Sequence, residues 1–214
     1  MSTPPEFDPA FRDDFQQLVR WRRDVREFRA DPVPPSLLDE CLALADLAPS
    51  VGLSQPWRFV PVTDASRRQD VIRSFERCNA DALASYRGEK AALYARLKLE
   101  GLRESPCQLA VFCEQDTDQG AGLGRATMPE TLEYSTVMAI HTFWLAARSH
   151  GLGVGWLSIL DPGEVAAALA VPASWKLVAY LCVGWPRESS ATPRLETDGW
   201  ERRRQRHGGA GNGG

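Results

Sequence analysis

Between Pro129 and Ser149 the chain carries Leu132, Met138, Ile140, Phe143, Trp144 and Leu145, which spread around a helix instead of forming one stripe. A helix that is apolar on most sides does not lie on a wet surface. It belongs at the centre of a fold or at an interface between subunits. The remaining elements have to be arranged around it. Phe11, Phe15, Leu18 and Val19 predict a first helix. Ser36 reads as the N-cap of a second helix that carries Leu37, Leu38, Cys41 and Leu42 and ends at Pro49. Asp161-Pro162 opens a short helix to Ala170.

Strand patterns occur at Trp57–Val62, Cys107–Cys113, the glycine-punctuated Gly151–Leu160 and Lys176–Val183. Few strands and several long helices predict an α+β domain, a small sheet flanked by helices. The 214 residues, 43% hydrophobic and 25% charged, suffice for one such domain over 1–200, followed by a basic, Gly-rich flexible tail over 201–214. Residues 66–102 are helical in pattern but polar, and form a candidate lid.

Composition excludes several function classes. A net charge of −3 gives no reason to expect nucleic acid. No apolar run reaches the roughly 20 residues of a membrane span. The first residues are neither basic nor apolar, so a cytoplasmic protein without a secretory signal is expected. The five cysteines are scattered, with no Cys-x-x-Cys and no histidine at ligand spacing, which predicts small buried hydrophobes and no metal site.

Chemistry concentrates in Arg22-Arg23-Asp24-Val25-Arg26, three guanidinium groups within five residues and one acid among them. Such a cluster repels itself; an anionic ligand relieves that strain, and arginine's planar fork suits phosphate better than lysine's point charge does. Arg22 and Arg26 share a face if the first helix continues through them. Asp24 weakens an anion site, so its role is either to neutralise its neighbours or to move protons. Gly151, Gly153 and Gly155 alternate along one strand, which serves either a flat ligand at the bare backbone or close packing of another element. The loop from Ala48 to Trp57 offers Ser50, Ser54, Gln55 and backbone amides to the polar edge of a heterocycle. His141 is expected as a hydrogen-bonded core histidine. Trp200-Glu-Arg-Arg-Arg-Gln-Arg206 is either a solvated basic tail or a segment that returns to the ligand.

Taken in this order from Phe15 to Trp200, these segments resemble the nitroreductase-type FMN enzymes, whose usual motifs are Arg-Arg-Ser-x-Arg, Pro-Ser-x-x-Asn-x-Gln-Pro-Trp, a Gly-Leu-Gly strand and a late basic residue. The resemblance implies a nitroreductase-like fold with a mostly antiparallel sheet, an intertwined homodimer, and an FMN site. Arg22, Arg23, Asp24, Val25, Arg26, Ser50, Leu53, Gln55, Gly155, Leu157, Ser158 and Arg202 would bind the flavin. Asp24 stands where the family has serine, and Leu53 where it has asparagine. With Gly155-Trp-Leu-Ser-Ile-Leu-Asp-Pro162, Thr127-Met-Pro-Glu-Thr131 and Tyr134-Ser-Thr-Val137, these departures resemble the branch that fragments reduced FMN with oxygen to 5,6-dimethylbenzimidazole and erythrose 4-phosphate. That resemblance implies Asp24 and Ser158 as a catalytic pair, reduced FMN and O2 as substrates, and a separate NAD(P)H:flavin reductase as partner. The alternative is an ordinary NAD(P)H-dependent nitro or quinone reductase, in which Asp24 only balances charge.

Overall fold

A computed structural model describes residues 3–204. The chain opens with α1 (Pro9–Trp21), whose N-cap Asp8 accepts the Phe11 amide at 2.8 Å. The helix stops at Arg22, where the backbone turns extended (φ −70°, ψ 109°). The arginine motif is therefore not helical. In extended backbone alternate residues share a side, so Arg22, Asp24 and Arg26 still lie together, with a period of two. Helix α2 (Pro35–Ala45) begins one residue before the predicted Ser36 cap. Pro34 occupies the cap without a side-chain bond, and Pro35 supplies the φ of the first turn.

The remaining elements are β1 (Trp57–Pro61), α3 (Ala65–Ser85), α4 (Gly88–Tyr94), β2 (Cys107–Glu114), α5 (Thr131–Ser149), β3 (Gly153–Leu157), α6 (Pro162–Leu169), β4 (Trp175–Gly184) and α7 (Arg194–Thr197). The four strands form one antiparallel sheet in the order β1-β2-β4-β3. Residues 24 and 28 add isolated bridges, Asp24 to Val154 in parallel and Phe28 to Pro186 in antiparallel. The glycine strand is shorter than its sequence pattern, and α7 lies in a stretch for which the sequence predicted no element.

Alternation along the strands divides the core into two layers. Leu109, Val111, Leu181 and Val183 face α2 and α5, packing with Cys41, Ile140 and Phe143. Ala110, Phe112, Tyr180 and Cys182 face α3 and α6, with Val71, Phe75, Val165 and Leu169. The first half of α3, through Phe75, thus belongs to the core, as does Leu102 at the far end of the candidate lid. The buried Tyr180 hydroxyl donates to Gln108 Oε1 at 2.7 Å, and Gln108 Nε2 donates to Leu102 O at 2.6 Å. This relay ties the end of the candidate lid to the sheet. All five cysteines are free, three of them buried, and burial pushes the Cys41 thiol up to about 11 and Cys182 up to about 12. No helix among the described residues is long and apolar enough to cross a membrane.

Candidate active site

The arginine segment is laid directly on the edge strand β3. Val25 N donates to Val154 O at 3.1 Å, and Trp156 N donates to Asp24 Oδ1 at 2.9 Å. Arg26 Nη2 donates to Trp156 O at 2.6 Å, and Arg26 Nε pairs with Asp24 Oδ2 at 2.5 Å. Asp24 and Arg26 therefore hold both polar groups of one peptide residue while they neutralise each other. The approach is close enough to require glycine. A Cβ at Gly155 would lie 2.1 Å from Val25 O, and one at Gly153 would lie 2.7 Å from Val25 Cγ2. Of the two readings of the alternating glycines, close packing holds at 153 and 155: the bare backbone accommodates the chain itself.

The electrostatics of this segment are unusual. Arg22 stacks its guanidinium over the Trp144 ring, 4.9 Å from the centroid. Its Nε is buried with no hydrogen-bond partner among the described residues, as is Arg26 Nη1. Burial lowers the Arg22 pKa, Asp24 offsets part of this, and Arg203 lowers it further. Arg23 is lowered by burial and then by Arg203 and Arg22. The predicted Arg202 lies next to Arg203 in the chain, and its main-chain amide donates to Glu201 Oε1 at 2.9 Å. Asp24 keeps 40% of its side chain exposed, but into a recess bounded by protein. The resulting loss of water raises its carboxyl above the ordinary range, against the pull of Arg26, the Trp156 amide and Arg22.

Two buried guanidinium donors without an acceptor among the described residues, beside an Arg23 that neighbouring cations lower, match an anion with several acceptor oxygens. A phosphate monoester carries them. The residues thus fit the phosphate of a flavin mononucleotide.

Other predicted site residues lie farther off. Leu157 is buried against the α3–α6 layer, so only its main chain can meet a ligand. Ser158 is exposed just past the end of β3, with no hydrogen bond to Asp24 among those described. Ser50, Leu53 and Gln55 form a tight loop in which Leu53 (φ 59°) and Gln55 (φ 41°) are left-handed. Ser50 Oγ accepts the Gln55 amide at 3.1 Å, Ser135 Oγ accepts the Val51 amide at 3.0 Å, and Gln119 Nε2 donates to Leu53 O at 2.8 Å. This loop abuts Ser135, whereas Arg22 abuts Trp144. At about 1.5 Å per helical residue the two contacts are separated by about 13 Å along α5.

Tyr134, Val137 and Met138 of α5 are exposed, and so is His141. His141 is therefore not a core histidine; it lies on the side of α5 turned away from the sheet. The apolar residues of this helix fill the core on one side and leave a second apolar face uncovered.

The C-terminal arm completes the surroundings. Arg23 Nε donates to Ala191 O at 2.9 Å, and Arg194 Nη1 pairs with Glu27 at 2.7 Å. A cavity of about 320 Å³ lies beneath it, lined by Arg23, Asp24, Trp144, Arg148, Ser189 and Arg194 among others. The grip on Trp156 and the stacking of Trp144 under Arg22 were invisible in the sequence, because both depend on the chain turning extended at Arg22.

Residues 19–185 match the Nitroreductase family. Over 95% of its length the chain is 63% identical to the 5,6-dimethylbenzimidazole synthase of Rhodospirillum rubrum, covering 97% of that protein. The 5,6-dimethylbenzimidazole synthase of Rhodobacter capsulatus is 47% identical over 91% of this chain and 94% of its own. Among solved structures, oxidized iodotyrosine deiodinase bound to FMN and 3-iodo-L-tyrosine superposes with a TM-score of 0.69 at 27% identity, over 82% of this chain and 91% of that one.

Proposed function

We propose, starting from the fact that the chain belongs to the nitroreductase family, that it acts as a 5,6-dimethylbenzimidazole synthase. The observation that carries this reading is the 63% identity to such a synthase along 95% of the chain. The site geometry agrees with it: an ionisable acid, oriented on both oxygens, stands among the arginines, where a reductase would use it only to balance charge. The substrate is reduced FMN and the oxidant is O2. The bond between the first and second ribityl carbons is broken, as are the bonds from N5 and N10 to the pyrimidine ring. The first ribityl carbon becomes the carbon between the two nitrogens of 5,6-dimethylbenzimidazole. The other four ribityl carbons leave as erythrose 4-phosphate, and the pyrimidine ring leaves as an oxidised fragment, with O2 taking up the electrons.

Arg22, Arg26 and Arg203 hold the phosphate and ribityl oxygens, the first two through donors that the protein leaves without acceptors. When bound, the flavin supplies the electrons and the carbon skeleton. Asp24 supplies the base. Its Oδ1 is fixed by the Trp156 amide and its Oδ2 by Arg26, so the carboxylate is already oriented, and its raised pKa brings it closer to the strength a general base needs. Ser158, exposed at the end of β3, donates its hydroxyl to an oxygen beside the ring. The backbone from Gly155 to Ser158 borders the same side.

The distance between the Ser50–Gln55 loop and the arginines implies that the second half of each site comes from a second copy of the chain. The uncovered face of α5 is the surface on which the two copies meet. Reduced flavin arrives from a separate NAD(P)H:flavin reductase.

Anaerobic reduction of FMN with the protein, followed by oxygen and mass analysis, tests this function. The expected products are 5,6-dimethylbenzimidazole and erythrose 4-phosphate in equal amounts. Complete recovery of intact FMN over hours, with oxidation of NAD(P)H by added quinone, would establish the reductase in its place.

A further inference from the structure

The three arginines of the cluster are held in different ways. Arg23 Nε donates to Ala191 O at 2.9 Å and its Nη1 to Arg22 O at 2.6 Å. Arg26 gives Nε to Asp24 Oδ2 at 2.5 Å and Nη2 to Trp156 O at 2.6 Å. Both are fixed through donors, which their partners consume. Arg22 is fixed through its face, with the guanidinium carbon 4.9 Å from the centroid of the Trp144 ring. A ring face offers a quadrupole and no lone pair, so it attracts the cation and leaves its N–H groups unspent. Arg22 Nε is accordingly buried with no hydrogen-bond partner among the described residues.

Both ends of the Arg22 side chain are anchored. At the C-terminal cap of α1 its main-chain amide donates to Leu18 O at 2.9 Å. At the other end the seat is itself fixed, because Trp144 is buried in the core layer between the sheet and α2 and α5. Its ring lies 6.5 Å from that of Trp156, with the planes inclined at 38°. Trp156 is the residue whose amide and carbonyl are taken by Asp24 and Arg26. One aromatic pair thus backs the unspent guanidinium on one side and the oriented acid on the other. Trp144 and Asp24 also border the same cavity. Packing accounts for a buried tryptophan at 144, but not for a cation seated on it with a donor left over.

We infer that Trp144 is a positioning residue for phosphate recognition: it seats Arg22 by the face and so keeps the donors of that guanidinium free for phosphate oxygens. The inference rests on the flavin reading above. A long side chain loses rotamer freedom when it grips a ligand, and one that is already seated has lost it beforehand. A carboxylate in place of the ring would seat Arg22 as firmly, but it would neutralise the cation and occupy the edge that the ligand needs. The aromatic seat leaves both charge and donors available. It therefore favours a phosphorylated flavin over riboflavin, which carries no phosphate for Arg22 to meet.

The ratio of FMN to riboflavin affinity, taken from fluorescence titrations of the full chain, reads this seat. Trp144→Leu keeps an apolar side chain and removes the ring face, so FMN affinity should fall about tenfold while riboflavin affinity stays within about twofold. Trp144→Phe, which keeps a weaker face, should lower the ratio only about threefold. In an Arg22→Ala background either change at 144 should move the ratio by less than about twofold, because the ring acts through that guanidinium alone. Equal losses for both flavins in Trp144→Leu would make the ring a packing residue and overturn the inference, with the flavin reading intact. The same fall in the ratio with and without Arg22 would overturn it as well. Failure of the native chain to bind either flavin would overturn the flavin reading and the inference with it. If circular dichroism shows that Trp144→Leu does not fold, Trp144→Phe decides through the same comparison: a fall confined to the chain that has Arg22 supports the seat, and an equal fall in both backgrounds, or none, overturns it.

Discussion

Asp24 and Trp156, 132 residues apart in sequence, are joined side chain to main chain at 2.9 Å. The bond fixes a carboxylate beside the end of β3 at the point where Arg26 takes the carbonyl of the same residue. An acid held on both oxygens by protein donors has a set direction, and it is this direction, more than its charge, that separates a proton carrier from a counter-ion.

Asp24→Asn tests that distinction. The amide keeps the size of the side chain and relieves none of the arginines' need for an anion. FMN affinity should stay within about threefold or improve, while formation of 5,6-dimethylbenzimidazole should fall by at least about 100-fold, the lower end for loss of a general base. Synthesis at the normal rate would make Asp24 structural.

The same residue gives a dependence on pH. Its carboxyl is raised above the ordinary 3.8, so over the interval just above that value the folded chain binds more protons than the unfolded one. The stability Asp24 contributes is complete below the unfolded value and is lost as pH climbs through the folded one. Asp24→Asn lacks this slope, and its stability relative to the native chain should rise across that interval. Urea denaturation midpoints at steps from about pH 4 to 7 measure the difference; a constant difference contradicts the assignment. The native rate should rise through the same interval, as ionised Asp24 accumulates.

Gly155→Ala should be disruptive for a reason of distance alone. The new Cβ would stand 2.1 Å from Val25 O, and the obstacle is backbone, which cannot rotate away. The expected cost is about 1–3 kcal/mol in denaturant unfolding, the range for overpacked sites. FMN binding should weaken with it, since Val25 carries Asp24 and Arg26 on either side.

Much of this was legible in the sequence. The helix from Pro129, the buried strands and the acid among the arginines all follow from spacing and residue type. What failed depended on tertiary placement. Arg22 and Arg26, four apart, would share a face had the first helix continued, but the edge of β3 offered Val154 O to the Val25 amide and the Trp156 main chain to Asp24 and Arg26, and the segment took them. His141 was expected inside an all-apolar helix, yet periodicity alone does not distinguish a second buried face from an exposed one. Arg202, Arg203 and Arg204 are indistinguishable in sequence, because three adjacent residues of one type carry no spacing signal.

Arg22→Ala separates phosphate recognition from ring recognition. Removing a guanidinium that offers charge-assisted bonds should cost about 1.5–3 kcal/mol, or roughly 10- to 100-fold in FMN affinity. Riboflavin affinity should remain within about twofold. Equal losses for both flavins in fluorescence titration would place Arg22 away from the phosphate.

Val137→Arg places a charge in the uncovered face of α5 without touching the core. Sedimentation should show a monomer with an unchanged circular dichroism spectrum, and FMN binding should fall by at least about 100-fold, because half of each site is then missing. A dimer of native affinity for FMN would show that the face serves some other purpose.

The cysteines acquire a meaning once oxygen is a substrate. Autoxidation of free reduced flavin generates hydrogen peroxide, and peroxide attacks the thiolate, not the thiol. With Cys41 held at about 11, roughly one molecule in ten thousand carries that thiolate at neutral pH, and Cys182, at about 12, is scarcer still. Burial that serves packing in the two core layers also makes these sulfurs poor targets. On the proposed function, these two buried sulfurs are the ones that the peroxide shed by the substrate attacks most slowly.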